Sequence, residues 1–226
     1  MVINFYNLSL NFSNFFNIYK SVQTNLSIMR ITHNFFLKKI HLNGKIANIG
    51  SGKNIFINKF FKKFSGSLYN YDFYKINKDI IKINLEKRFV IKDGKFDCII
   101  LFNVLEHINN YKKLISSLKL NLKSKGRLEI FVPFMFRYHK DPKDIFRPTH
   151  YYLNELLKSN GFKTKITLIN AGPIMVILEI LFKYLKFPSI KLFLLFIFLI
   201  FNKIFLQYSR DYLNYYSGTH ISCIKK

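Results

Sequence analysis

Apolar positions along this chain change period several times, and each change marks an element. In residues 21–40, Val22, Leu26, Met29, Phe36 and Ile40 recur at mostly three- to four-residue steps, which predicts a helix. Residues 45–49 form a short apolar run closed by Gly50-Ser51-Gly52, and Ile55, Phe56, Lys59, Phe60 and Lys63 give a helical pattern after it. Strands are expected at 66–71 and, shorter, at 80–85. Residues 96–102 are continuously apolar, the pattern of a strand covered on both faces. Tyr111, Leu114, Ile115, Leu118 and Leu122 make one helical stripe. Residues 127–133 are a second buried strand, entered through Lys125-Gly126. Thr149 suits the N-cap of a helix carrying Tyr152, Leu153, Leu156 and Leu157, and Gly161 suits its stop. Strands at 163–170 and 219–225 complete the pattern, and residues 1–20 show no clear period.

Strands alternating with helices predict an α/β fold: a Rossmann-like, seven-stranded, mostly parallel sheet with helices on both faces. One segment breaks the alternation. Residues 174–206 are almost wholly apolar, but the longest unbroken run, Leu192–Phe201, covers only about 15 Å as a helix against a bilayer core of about 30 Å. A single crossing would also separate the last strand from its sheet. Two apolar helices turning at Pro188 avoid this, either dipping into a membrane interface with their lysines at the headgroups or capping the domain. The expected organisation is an N-terminal helical extension over 1–41, a core domain over 42–172 and 207–226, and an apolar helical hairpin inserted at 173–206.

With 226 residues, one domain with a substantial core is expected. The net charge of +24, from 36 Lys+Arg against 12 Asp+Glu, suits an anionic partner. The excess is mostly lysine, and the scattered arginines give no platform for reading bases, so nucleic acid ranks low against a membrane surface. A lysine-, asparagine- and isoleucine-rich composition also follows from AT-rich coding, with no partner at all. Cys98 and Cys223 lack metal-ligand spacing and suggest no disulfide framework. No export signal is visible, so a cytoplasmic chain, peripheral at the inner face of a membrane, is the expectation.

Candidate chemistry lies at the ends of the predicted strands. The Gly50-Ser51-Gly52 turn lets backbone approach a ligand closely. It is not a P-loop, because positions 47 and 54 are Ala47 and Asn54, and not a dinucleotide fingerprint, because position 55 is Ile55. Asp72, following the next strand, suits ribose hydroxyls. The strand at 96–102 delivers Asn103, Glu106 and His107 to its carboxyl end, where open parallel sheets bind ligands. After the strand at 127–133, a short polar span holds His139, Asp141, Asp144, Arg147 and Thr149.

Gly50-x-Gly52 after a strand, an acid after the next, and Phe96-Asp97 followed by Asn103-Val104-Leu105-Glu106-His107 resemble class I S-adenosylmethionine-dependent methyltransferases. Pro133-Phe134, His139, Pro142, Asp144, Arg147-Pro148-Thr149 and Gly161-Phe162 are similar to small methyltransferases encoded among surface-glycan genes. The resemblance covers about residues 42–170 and the terminal strand. It implies that S-adenosyl-L-methionine is held by Asn48, Gly50, Ser51, Gly52, Asp72, Asn84, Asn103 and Glu106. It also implies that the methyl goes to a small-molecule, sugar or lipid-linked glycan acceptor, with no metal. His107 and His139 are then the candidate bases, Arg147 a candidate anchor for a carboxylate or phosphate, and Asp144 a group that orients either. The chain departs from the family at Asn48 and Asn84, where Asp is usual, and at Asn54, where Gly is usual. These departures leave a second expectation, a catalytically degenerate member that docks on a membrane or partner.

Overall fold

A computed structural model describes all residues except 1–2, 10–11, 54, 93, 141–142 and 207–213. In chain order the elements are β1 (Ile3–Tyr6), α1 (Phe12–Gln23), α2 (Ile28–Leu37), β2 (His41–Ile49), β3 (Lys63–Asp72), β4 (Ile80–Lys82), β5 (Phe96–Phe102), α3 (Tyr111–Leu120), β6 (Leu122–Pro133), α4 (His150–Ser159), β7 (Phe162–Ala171), α5 (Pro173–Tyr184), α6 (Pro188–Leu206) and β8 (Tyr216–Lys225). They build one sheet of order β1-β7-β8-β6-β5-β2-β3-β4. Only β8 runs antiparallel, between β6 and β7. The expected α/β class holds with eight strands in place of seven. The extra strand, β1, pairs with the edge of β7 through Ile3–Tyr6, and a four-residue edge strand is too short for its period to be read.

The sheet is covered on both faces because its central strands bury alternate residues on opposite sides. Ile99 and Leu101 of β5 pack with Leu114 and Leu118 of α3 and Leu153 and Leu157 of α4. Cys98 and Ile100 face the other way, toward Leu37 and Ile57. Phe131 and Ile169 meet Met29 of α2 on that second side. Beyond them, α1, α2, α5 and α6 share a further apolar cluster that includes Ile18, Ile31, Leu178 and Leu195. Cys98 and Cys223 are buried and unpaired.

Two helical expectations are corrected. The single helix over 21–40 is two helices. Asn25 takes a left-handed backbone (φ 56°) and the Ser27 hydroxyl caps α2 by accepting from the Arg30 amide, so the periodic stripe is cut at Leu26. After the glycine turn no α-helix forms; among the described residues the span carries one 3-10 turn, Ile57–Phe60. The register pairs His41 with Lys63 and Ile49 with Tyr71, so residues 50–62 must travel back along almost all of β2, about 25–30 Å. Wound as an α-helix, those residues advance only about 20 Å. An extended crossover is the geometry that reaches.

Contrary to the expectation from its ten-residue unbroken run, α6 is by length and composition long enough and apolar enough to cross a membrane (window Pro188–Phe205, mean hydropathy 1.9), and only 17% of that window is buried within the protein. It lies against α5 and α1 through Leu192, Leu195 and Leu199, and turns Phe193, Phe196, Ile200 and Ile204 outward.

Candidate active site

The carboxyl ends of β2, β3, β5 and β6 lie side by side, because these strands are neighbours in one parallel array. At the end of β2 the chain turns sharply. Gly50 takes φ +71°, and a Cβ there would sit 2.2 Å from a Val104 methyl carbon, so only glycine lets the turn close against the tip of β5. The Gly50 and Ser51 amides both donate to the Tyr71 carbonyl (2.8 and 3.1 Å). The Asp72 carboxylate accepts from the Gly52 amide at 2.8 Å and from the Tyr74 amide at 3.0 Å. Turn and acid are thus one unit, as the spacing suggested.

Asn48 does not face that unit. It is buried, and its amide donates to Asn70 Oδ1 at 2.9 Å, while Asn70 donates to the Ile55 carbonyl at 3.3 Å. This pair of amides ties the crossover loop to β2 and β3. Asn70, unnoticed in the sequence, is its second half; the signal was its register position opposite Asn48. Asn84 accepts from the Glu86 amide at 3.0 Å and caps its own turn beyond β4. Asn103 stands at the tip of β5 with a left-handed backbone (φ 53°), its amide bonded to the Phe131 carbonyl.

Beyond Asn103 a 3-10 turn, Leu105–His107, brings Glu106 under the β6–α4 loop. The Glu106 carbonyl accepts from the Ile145 and Phe146 amides, which stitches loop to turn. Its carboxyl is wholly buried, neither oxygen has a hydrogen-bond partner, and burial pushes it up to about 8. His107 Nε2 lies 3.8 Å and His139 Nε2 4.0 Å from Glu106 Oε1. The two imidazoles meet edge to face at 5.1 Å. His107 Nδ1 is 2.6 Å from the Lys143 carbonyl, and His139 Nδ1 is 3.2 Å from Asp144 Oδ2. Burial lowers the His139 imidazole, against the opposing pull of Asp144.

Arg147 is turned inward. Its Nε and one terminal nitrogen donate to Asp144, and its remaining N–H groups donate to the carbonyls of Phe134 (3.1 Å), Phe136 (3.3 Å) and Arg137 (3.2 Å). All five guanidinium donors are engaged, which leaves none for a substrate anion. That hydrogen bonding holds the Asp144 carboxyl below the usual carboxylate range. The pair staples the loop and so aims His139; the anion-anchor role expected of Arg147 does not fit this geometry. Asp141, Pro142 and Asn54 lie outside the described residues.

Two cavities open beside this edge. The smaller, about 150 Å³, is lined by Asn103, Pro133 and His139 together with Arg30 of α2. It shares Asn25, Leu26, Ser27, Phe136 and Arg137 with the larger, about 890 Å³, which runs outward under α5 and α6 past Phe182, Lys183, Lys186 and Lys191. Gly50 and Asp72 line neither. The strand tips therefore gather Glu106, His107 and His139 closely, with the glycine turn and Asp72 as a separate cradle on the other side of Asn103. Arg30 and Arg137 escaped the sequence reading because nothing local marks a helix or loop arginine that the fold brings to a distant strand end.

The cradle fits S-adenosyl-L-methionine. A Cβ at Gly52 would meet nothing within 4 Å, the buried Ser51 hydroxyl has no partner, and Asp72 offers carboxylate oxygens at the end of the second strand.

Comparison with known proteins agrees with this arrangement. Residues 23–165 match a family described as a methyltransferase domain. No curated protein matches the chain in sequence. Among solved structures, an S-adenosylmethionine-dependent methyltransferase from Thermotoga maritima aligns at TM-score 0.54 and 14% identity over 95% of this chain and 98% of its own. The cyclase SpnF aligns at TM-score 0.56 and 12% identity, over 88% of this chain and 81% of that one. Phosphoethanolamine N-methyltransferase 2 of Haemonchus contortus, solved with S-adenosyl-L-methionine, aligns at TM-score 0.51 and 15% identity over 85% of this chain, which spans 52% of that longer protein. With this sheet order, the glycine turn and acid at the strand ends, and a family match over most of its length, the chain belongs to the class I S-adenosyl-L-methionine-dependent methyltransferases.

Proposed function

We propose that this protein methylates a hydroxyl of an anionic sugar or lipid-linked glycan at a membrane surface. The observation that carries the reading is the continuity of the two cavities. The apolar, lysine-edged space beneath the α5–α6 hairpin leads, through Phe136 and Arg137, to Asn103 and His139 at the strand tips. An acceptor with an apolar tail and a phosphate-like group matches that lining, with the tail against Leu26, Phe182 and Leu185 and the anion on Arg137, Lys183 or Lys186.

When bound, S-adenosyl-L-methionine supplies a methyl already activated by its sulfonium, whose bonding electron pair stays with sulfur. Gly50, Ser51, Gly52 and Asp72 hold the nucleoside side, and Asn103 separates it from the acceptor. The protein's task is alignment, together with removal of the acceptor proton. The Nε2 lone pairs of His107 and His139, backed by buried Glu106, are the groups that receive that proton. Asp144 and Arg147 keep the His139 ring in place. This reading treats residues 173–206 as an inserted hairpin that recruits the acceptor.

Calorimetry with S-adenosyl-L-methionine, followed by transfer of its labelled methyl into a lipid extract, tests the reading. Saturable binding and a labelled lipid-phase product are expected. The second reading, a docking protein that has lost the reaction, is favoured by Asn48 in place of the usual acid and by a cradle outside both cavities. It predicts folded protein that takes up no cofactor. One of the similar folds belongs to a cyclase, so fold by itself does not choose between them.

The membrane part of the reading has its own test. Phe193 and Phe196 are 63% and 52% exposed, so serine at both leaves packing intact. Burying one phenylalanine in lipid contributes about 1.5–3 kcal/mol. The double variant is therefore expected to bind anionic phospholipid vesicles about a hundredfold more weakly in a sedimentation assay. Equal sedimentation of variant and parent would remove α6 from any lipid contact.

A further inference from the structure

We propose that Glu106, His107 and His139 form a binding site for one first-row divalent cation, of the Zn²⁺ or Mn²⁺ kind, at the acceptor end of the active site. The proposal rests on the reading that this end receives the acceptor, and it adds a component which that reading lacks.

The first observation is the convergence of three ligand-type atoms. One carboxylate oxygen of Glu106 and one ring nitrogen from each histidine lie within 4.8 Å of one another. The second is independent of it. Glu106 is fully buried and both its oxygens lack hydrogen-bond donors. Among the described residues no Lys or Arg forms an ion pair with it within 4.0 Å; Arg147 and Arg30 act on it only from farther away, and the two imidazoles are the ring groups that reach its carboxylate. A buried carboxylate without a partner is costly; the group either stays protonated or is balanced by a coordinated cation.

The hydrogen bonds behind the histidines decide which of their atoms face inward. His107 Nδ1 lies 2.6 Å from the Lys143 carbonyl, which can only accept, so Nδ1 carries the proton and Nε2 keeps its lone pair. His139 Nδ1 lies 3.2 Å from Asp144 Oδ2. The Arg147 nitrogen 3.4 Å from the same ring atom is itself a donor, with protons committed to Asp144 and the Arg137 carbonyl. Both rings thus direct an Nε2 lone pair at a carboxylate. An outer hydrogen bond from the far ring nitrogen to a carbonyl or carboxylate is the arrangement that orients metal-binding histidines.

The distances favour a third body over a direct bond. A charge-assisted hydrogen bond from a protonated histidine to Glu106 closes to about 2.8 Å. The two approaches are 3.8 and 4.0 Å, nearly equal, with neither ring preferred. Metal bonds of about 2.1 Å set neighbouring ligand atoms about 3–3.5 Å apart, a closure of roughly half an ångström for each imidazole toward Glu106 and of up to about 1.5 Å for the widest pair of the three atoms. Two imidazoles with one carboxylate suit Zn²⁺ or Mn²⁺ better than Ca²⁺ or Mg²⁺, which prefer oxygen ligands throughout. Three protein ligands leave positions open toward the smaller cavity, which His139 also lines. A cation there polarises an acceptor oxygen and lowers its pKa, the work that the reading above gives to the imidazole lone pairs.

The test is calorimetry of the untagged full chain with Mn²⁺ and, separately, Zn²⁺, paired with elemental analysis after dialysis. One ion per chain is expected, bound at least tenfold more weakly by Glu106→Gln and by His107→Ala. Thermal unfolding followed by circular dichroism, measured on the same samples, serves as the check that each variant is folded. Should one variant fail that check, the other decides. Absence of a site near unit stoichiometry, or equal metal affinity in parent and folded variant, overturns the proposal. Cofactor uptake without metal uptake refutes the cation site and leaves the methyltransferase reading standing. Metal uptake without cofactor uptake does the reverse.

Discussion

Replacing His139 with alanine is expected to lower methyl transfer by about two to four orders of magnitude, with S-adenosyl-L-methionine affinity unchanged within about twofold. The separation of the two effects follows from the layout. The cofactor cradle is built from β2 and β3, through the Gly52 amide and the Asp72 carboxylate. His139 belongs to the loop after β6 and lines the cavity on the far side of Asn103. Its removal leaves the loop standing, because Arg147 still binds Asp144 and three backbone carbonyls. The loss should fall on turnover whether the imidazole acts on the acceptor proton directly or through a bound cation. Single-turnover transfer of labelled methyl, alongside calorimetry, reads both quantities. Turnover equal to the parent's would exclude His139 from the reaction.

The second large effect lies in the core beneath the site. Glu129 of β6 is ion-paired with Arg127 and accepts from His220 Nε2 at 2.7 Å and from the Ser222 hydroxyl at 2.7 Å. His220 Nδ1 contacts His33 Nε2 of α2 at 2.9 Å, and the His33 ring stacks on Phe131 at 3.8 Å. This chain of polar groups fastens α2 to the middle of the sheet. Glu129→Ala strands a buried histidine and an arginine, and a loss of about 3–5 kcal/mol is expected, read from urea unfolding at pH 7.5.

The same network contributes to the response to acid. Burial lowers His33 well below the ordinary imidazole value, helped by the charges of His220 and Arg30. Burial alone would raise Glu129, but the His220 hydrogen bond, the charges of His220 and Arg127, and the Ser222 hydrogen bond outweigh it and hold the carboxyl below its usual range. Both folded-state values are depressed, so the unfolded chain binds more protons on acidification and both contributions fade as pH falls. The His33 contribution begins to fade near pH 6.5 and that of Glu129 below about pH 4.3, the ordinary values of the two groups. The contribution of this network should be level above about pH 7 and decline below it. Buried Glu106 and Glu179, raised to about 8 and about 7, act with the opposite sign, so the network is read as the difference between parent and variant. His33→Gln should flatten the first part of that decline, and an unaltered profile would exclude His33 as its source.

How much of this could be read from the chain depends on the range of the deciding interaction. The buried strand β5, the stripe of α3 as far as Leu118 and the Thr149 cap of α4 are local patterns that form where they indicate, whereas β6 begins at Leu122, taking that residue and the expected Lys125-Gly126 turn into the strand. The pairing of Gly52 with Asp72 was legible for the same reason, since a crossover between adjacent parallel strands fixes their separation. The missing helix after Gly52 was not legible. Its apolar spacing is sound, but the distance back along β2 overrules it, and that distance is a property of strand pairing. Asn48 carried a family expectation, and its neighbour across the sheet, Asn70, gave it different work.

The sequence alone determined the α/β class, the glycine turn and its acid, the delivery of Glu106 and His107 to the carboxyl end of a buried strand and an apolar segment before the last strand, because periodicity, turn chemistry and short spacings act between near neighbours. Only the tertiary structure decided that Arg147 turns inward, that α2 brings Arg30 to the acceptor cavity, and that two histidines 32 positions apart aim their lone pairs at one buried carboxylate. Those outcomes depend on which strands and helices become neighbours, a choice made by burial of the whole apolar surface at once and written in no single stretch of the chain.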